Sequence, residues 1–322
     1  MTFQVVCLGA HILDILGRPV TEIPAGQGGA RLDEIRITAA GTAAATAVDL
    51  ARFGYRVATV GCIGTDEVGD FLIAVMQRHG VDTSHVQRTA EVQTSATMLP
   101  IRPNGERPAL HVVGANNRLR ADAIDPSVFD GAPLVHLGGL DRTGPFLRDE
   151  ALALATALRA RGCRVSMDIL GGDAGRFADV LRPLFPLVDW LAPNEEQLCH
   201  LYGVDDPAVA ARRALDDGVG VVAVTLGGDG CLVATGDGLT HVPARAVTVV
   251  DTTGCGDAFS AGLLAGIAQG RDAVGAARFG VVCGSLAATG LGSDAGLTTL
   301  AAALDAEATL AEAPPSRRFA GT

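Results

Sequence analysis

Past residue 133 the chain settles into a regular rhythm. Apolar runs too short for helices recur at Leu134–Leu137, Arg164–Asp168, Trp190–Ala192, Val221–Leu226 and Ala246–Val250. Apolar residues return with helical spacing at Asp149–Arg161, Asn194–Tyr202, Pro207–Asp216, Asp257–Gln269 and Asp272–Thr289. Short unbroken apolar runs read as strands covered on both faces, and helices between them act as crossovers. This half of the chain therefore predicts a parallel sheet with helices on both sides.

Upstream, Phe3–Leu8 and Val57–Val60 read as further strands, and Gly41–Phe53 and Asp66–Arg78 as helices closed by Gly54 and Gly80. Two stretches fall outside the rhythm. Residues 15–38 are rich in Gly and Pro and contain the alternating run Asp33–Thr38. Residues 92–113 hold two extended runs around Pro103-Asn104-Gly105-Glu106, where Asn-Gly is a hairpin signal. Alternation predicts half-exposed strands. These stretches are expected to form a small sheet at the edge of one domain spanning 1–311. Residues 312–322, with Pro314-Pro315 and Arg317-Arg318, are expected to be a loose tail.

Charge narrows the function. The net charge is −11 and the Arg residues are scattered, which argues against a nucleic-acid surface. All 25 basic residues are Arg. Without Lys there is no Walker A motif and no Schiff base, so bound ATP must be held by backbone N–H groups, Arg and a metal. Seven Cys without Cys-x-x-Cys spacing read as reduced thiols. The N-terminus has no basic leader and no apolar run reaches membrane length. A cytoplasmic protein with no membrane or nucleic-acid partner is expected.

The chemistry concentrates in Asp251-Thr-Thr-Gly-Cys-Gly-Asp257-Ala-Phe-Ser-Ala-Gly262. A predicted strand feeds a turn punctuated by Gly254 and Gly256, and a helix is predicted from about Ala258 to Gln269, with Gly270 closing it. Unpaired N–H groups and the positive end of the dipole make such a helix start a seat for an anion. Asp257 stands at its lip. One reading is a base that takes the proton of a hydroxyl attacking a phosphoryl group. The plainer one is an Asp N-cap.

The run resembles the C-terminal signature of the PfkB/ribokinase family of carbohydrate kinases, and the resemblance extends from about residue 5 to 296. It implies a ribokinase-like three-layer α/β/α fold, with a mostly parallel central sheet and a small β-sheet lid over the substrate. It also implies pairing of two copies through that lid. Asp257 then takes the role of catalytic base. Gly254, Cys255 and Gly256 form the anion hole with it, Cys255 standing where relatives carry a small Ala or Gly.

Other segments carry the resemblance further. Gly9-Ala-His-Ile-Leu-Asp14 is similar to the family's Gly-x-x-x-x-Asp, whose Asp grips substrate hydroxyls. A loop Asp is the alternative. Ala39 to Ala47 resembles the family's Gly-Gly-x-x-x-Asn-x-Ala segment. It keeps Gly41 but has Ala40 for the first Gly and Ala45 for the substrate-contacting Asn, which leaves Thr42 or Thr46 to supply a hydroxyl. Arg107 and Asn116 fall in the lid and in its return to the core. Arg107 reads equally as a phosphate-neutralising cation or as a solvated hairpin Arg.

Ala192-Pro-Asn194-Glu-Glu196-Gln197 resembles the Pro-Asn-x-x-Glu motif tied to phosphate and Mg²⁺ handling. Gln197 replaces its Glu, and Glu196 is the neighbouring acid for Mg²⁺. An Asn N-cap satisfies the same motif. Thr225-Leu-Gly227-Gly-Asp-Gly230 looks like the family's nucleotide shelf, and the segment with Ala287 its adenine wall. Asp251, Thr253, Ala287 and Gly292 lie where the family binds a monovalent cation, K⁺.

The resulting expectation is a kinase using ATP and Mg²⁺ on a small sugar-like substrate. A nucleoside substrate is one alternative, disfavoured by a lid stretch 92–113 with no Phe, Tyr or Trp. A binding protein that kept the fold is another, supported by Ala45 and Gln197. A nicotinamide dehydrogenase is excluded, because Gly-x-Gly-x-x-Gly does not follow the first strand.

Overall fold

The structure, a computed structural model, describes residues 2–104, 106–297 and 299–313. In chain order, the first half contains β1 (Val5–Gly9), β2 (Ile12–Arg18), β3 (Glu34–Ala40), α1 (Thr42–Arg52), β4 (Val57–Val60), β5 (Cys62–Gly64), α2 (Glu67–Arg78), β6 (Gln87–Thr89), β7 (Ala96–Pro100) and β8 (Leu110–Val112). The second half contains β9 (Leu134–Gly138), α3 (Ala151–Ala160), β10 (Arg164–Met167), α4 (Ala178–Leu181), β11 (Trp190–Leu191), α5 (Glu195–Tyr202), α6 (Pro207–Asp216), β12 (Val221–Thr225), β13 (Cys231–Thr235), β14 (Gly238–Val242), α7 (Cys255–Ala268), α8 (Ala273–Ala287) and α9 (Leu300–Thr309).

The main sheet runs β14-β13-β12-β11-β10-β9-β1-β4. It is parallel from β12 to β4, and β13 and β14 join antiparallel at one edge. Side chains alternate across a strand. On β1, Val6 and Leu8 enter one apolar cluster with residues of α3, α5 and α6, while Val5 and Cys7 enter a second with α1, α2, α7 and α8. The two clusters are the two faces of the predicted three-layer arrangement. α7 and α8 pack closely through small residues: a Cβ on Gly262 would lie 2.9 Å from Gly280 Cα, and one on Gly266 2.8 Å from Ala276 Cα. This contact fixes the N-terminus of α7.

The lid sheet has the order β3-β2-β7-β8, with β2 and β7 parallel and the other pairs antiparallel. It combines the two stretches that broke the sequence rhythm. β2 starts at Ile12, ahead of the predicted stretch, so Asp14 belongs to the lid.

Several expectations need correction. Ala246–Val250 is not a strand. It is an extended segment whose Ala246 N–H donates to Ala311 O and Val250 N–H to Ala288 O. The true edge is the β13–β14 hairpin, turned by Gly236-Asp237. α7 begins at Cys255 rather than near Ala258, and α9 was not anticipated. The expected tail is ordered at its start: Glu312 bridges Arg245, and Ala313 N–H donates to Ala244 O. The rest of it, 314–322, lies outside the described residues, as does Gly105 of the predicted hairpin turn. Among the described residues, no helix is long and apolar enough to cross a membrane.

Candidate active site

A cleft of about 520 Å³ opens at the carboxyl ends of the parallel strands, roofed by the lid. Ligands bind at this end of open α/β sheets because the loops and helix N-termini converge there. Its floor is the 251–257 turn. Gly254 caps α7 with φ +79°, and a Cβ there would lie 2.4 Å from Ser293 Cα, so only glycine fits. Cys255 N–H closes on Thr252 O at 3.4 Å. The N–H groups of Gly256 and Asp257 have no intrahelical acceptor, and the space above Gly256 is open.

Asp257 occupies the third position of α7, inside the first turn, so it is not the N-cap. Burial pushes its carboxyl up to about 8; the carboxylates of Asp168 and Asp14 add to this and Arg107 opposes it. The same forces a catalytic base requires are present here.

Asp251 is buried and ties the turn together. Its Oδ1 accepts from Thr253 N at 3.1 Å and Thr253 Oγ1 at 2.9 Å, and its Oδ2 accepts from Gly292 N at 2.9 Å. Arg107 reaches down from the lid, and its Nη1 donates to Thr253 Oγ1 at 2.8 Å. Arg107 is exposed, yet its guanidinium is held at the turn rather than pointing away from the cleft.

The lid side of the cleft holds Asp14, buried on β2. Burial raises its carboxyl to about 6; a hydrogen bond from Thr97 and the charge of Arg107 oppose this, and the charge of Asp251 adds to it. Gly41 starts α1 at φ +81°, where a Cβ would lie 2.5 Å from Ala10 O. Neither predicted hydroxyl is presented to the cleft. Thr42 lines it, but its Oγ1 is buried against Gly139 with no partner among the described residues. Thr46 is fully buried and donates to Asp257 O at 3.4 Å, a contact on the backbone of the first turn of α7. Asn116 is also placed elsewhere: its Oδ1 accepts from His11 N at 2.9 Å, supporting the turn after β1.

A second pocket of about 320 Å³ shares Thr225, Thr252 and Gly256 with the cleft. Gly227 and Gly230 line it from the turn after β12. From α8 and its C-cap it receives Val281, Gly284, Ser285 and Ala288, one helical face. Ala287 points to the core instead, about 100° round the helix from Ala288. Asn194 and Gln197 line the cleft and form a reciprocal capping box, both bonds at 2.8 Å. Gln serves that box as Glu would. The change at 197 therefore keeps the local structure. Glu196 is exposed, with its carboxylate near Gly172, and does not line the cleft.

Sequence reasoning missed Thr97, His111, Arg142 and Asp168, all of which line the cleft. Asp168 Oδ1 accepts from Gly139 N at 2.8 Å, and its Oδ2 lies 3.3 Å from His136 Nε2. Its signal was legible, an acid at the carboxyl end of a predicted parallel strand. Arg142 had none, because its position depends on the turn after β9.

The pfkB family carbohydrate kinase profile matches residues 2–300. An uncharacterized sugar kinase of Archaeoglobus fulgidus is 32% identical over 237 residues, covering 72% of this chain and 90% of its own length. The aminoimidazole riboside kinase of Salmonella typhimurium is 29% identical over 231 residues, covering 70% of this chain and 72% of its own. The structure of Arabidopsis thaliana ribokinase complexed with ribose and ATP matches with a TM-score of 0.77 at 22% identity, over 95% of this chain and 99% of that one, a likeness of fold. The chain belongs to the pfkB family of carbohydrate kinases.

Proposed function

We propose that this kinase transfers the γ-phosphoryl group of ATP to a hydroxyl of a small sugar-like substrate. One observation carries the reading: Asp257, with its raised carboxyl, stands at the helix N-terminus where the substrate cleft and the second pocket meet. Ionised Asp257 takes the hydroxyl proton, the freed oxygen attacks the phosphorus, and ADP leaves. The amides of Gly256 and Asp257 stabilise charge on the transferring group. Arg107, joining the lid to the turn, brings positive charge to the same place and excludes water when the lid is down.

The cleft offers hard oxygen donors, the carboxylate of Asp168 and the hydroxyls of Thr225 and Thr252, which would suit Mg²⁺ carried on the phosphates of ATP. That ion supplies charge neutralisation. Asp251, Thr253 and Gly292 are the residues that would hold K⁺. The support is the buried Asp251 carboxylate that draws their two loops together.

Pairing of two copies through the lid is supported by its outer face. There Ile37, Met98 and Leu110 are 42%, 54% and 56% exposed, an apolar row that water disfavours. The seven scattered cysteines, without Cys-x-x-Cys spacing, support a cytoplasmic location.

The test is ADP release with Mg-ATP and K⁺ over sugars, polyols and nucleosides, run beside Asp257→Asn. Turnover on one substrate class, lost in the variant, is expected. A nucleoside as the preferred substrate is the second reading, favoured by the aminoimidazole riboside kinase among the relatives.

A further inference from the structure

The lid sheet has an unusual inside and outside. Residues opposite one another on neighbouring strands point to the same face. Register places Thr38 opposite Asp14, Asp14 opposite Thr97, and Thr97 opposite His111. One rung across all four strands is thus polar, and Asp14, Thr97 and His111 of that rung line the cleft. The adjacent rung, Ile37, Ile15, Met98 and Leu110, is apolar and faces outward.

The polar rung is wired. Thr97 stands opposite Asp14 in the register, and Thr97 Oγ1 lies 3.0 Å from His111 Nδ1. If Thr97 donates to the carboxylate, it accepts from His111 Nδ1, and His111 Nε2 remains as an acceptor. Meanwhile the α1 side of the cleft presents Ala45 and a Thr42 hydroxyl turned away into Gly139.

The charges of the cleft are also committed. Of its two cations, Arg107 is bonded to Thr253. Arg142 is paired with Asp173 at 2.6 Å and Asp141 at 3.3 Å. Facing the ligand space are the carboxylates of Asp14, Asp168 and Asp257. An anionic substrate would meet three acids, while Arg142 is held in its own ion pairs and Arg107 is directed at the 251–257 turn.

We infer that the inner rung of the lid selects the substrate: Thr97 and His111, in line with Asp14, hydrogen-bond the hydroxyls of a neutral polyol and discriminate against sugar acids. This rests on the sugar-kinase reading of the cleft. On this inference the lid strands supply the polar contacts that Ala45 of α1 does not offer.

Calorimetric titration of D-ribose, D-fructose and D-gluconate into wild type, Thr97→Val, Thr97→Ser and His111→Phe tests this without relying on turnover. A neutral sugar is expected to bind at least about tenfold more tightly than D-gluconate. Thr97→Val and His111→Phe should each weaken that sugar about tenfold, the worth of one hydrogen bond, and Thr97→Ser should restore it. ATP affinity should not change. Unchanged sugar binding in both Thr97→Val and His111→Phe, tighter binding of D-gluconate, or no binding of either neutral sugar overturns the inference. ADP release measured on the same samples judges the transfer reading separately. A variant that misfolds shows itself by losing ATP binding too, and Thr97→Ser then carries the test by retaining wild-type sugar affinity.

Discussion

Arg107 Nη1 donates a 2.8 Å hydrogen bond to Thr253 Oγ1, and that hydroxyl in turn donates to Asp251 Oδ1 at 2.9 Å. The lid is thereby tied to the loop that sets up the anion turn. On the proposed function, closure over the substrate and assembly of a phosphate seat would be one event, as favouring transfer over hydrolysis requires.

Replacing Arg107 by Met should therefore lower kcat/KM by about 10- to 100-fold, the range of a lost charge-assisted hydrogen bond. The KM for ATP should rise. Arg107→Lys should recover part of the loss, since the charge remains but the fork geometry does not. Steady-state kinetics with both substrates varied will show it, and unaltered kinetics would mean that the bond is incidental.

Asp257→Asn should reduce kcat by about 10²- to 10⁴-fold while ATP still binds. The same change should stabilise the fold in a pH-dependent way. The carboxyl moves from its ordinary 3.8 to about 8 on folding. Below 3.8 both states are protonated and nothing is lost. Between the two values the unfolded chain ionises while the folded one holds its proton, so stability falls as pH rises. The variant escapes this, and its advantage over wild type should grow from pH 4 to pH 8. For a half-buried group the gain should be about 1–3 kcal/mol. Thermal unfolding at the two pH values measures it.

Activity should have the opposite slope. Asp14 and Asp257, raised to about 6 and about 8, act as carboxylates, one accepting hydroxyl hydrogen bonds and the other a proton. kcat/KM should climb across this interval and level off above it. In Asp14→Asn the limb near 6 should disappear, with the sugar KM raised. A flat profile from pH 6 to 9 would count against both assignments.

Thr46→Val separates positioning from contact. Its hydroxyl touches Asp257 O and not the cleft. The expected result is a modest fall in kcat, about two- to tenfold, with the sugar KM unchanged. A large rise in sugar KM alone would return Thr46 to the substrate set.

Met98→Arg places a charge in the outer apolar rung of the lid, beside Ile15 and Leu110. Sedimentation should report a dimer for wild type and a monomer for the variant. If both sediment alike, the lid is not the pairing surface.

Much of this was legible beforehand, because the physics behind it is local. Apolar runs and helical spacing gave the parallel strands and their crossovers, since each element must bury its own face. Gly254 and Gly41 announced turns that no other residue can make, both at positive φ against neighbouring backbone. Asp257 stood next to one of them, and Asp14 was marked by its spacing after Gly9. Ala246–Val250 failed for the complementary reason: its β-branched residues suit a strand, but β13 and β14 already complete that edge of the sheet.

The sequence by itself determined the fold class, the anion turn and the acid beside it, because a glycine-punctuated strand-to-helix turn encodes its geometry within a dozen residues. Only the tertiary structure decided which polar side chains face the cleft. Thr42, Thr46 and Asn116 look equivalent to Thr97 and His111 in composition. Their directions depend on strand register across the lid and on the packing of α1 against α7, contacts between residues far apart in the chain. It likewise decided that Asp168 faces Asp257, and so how strongly the base holds its proton.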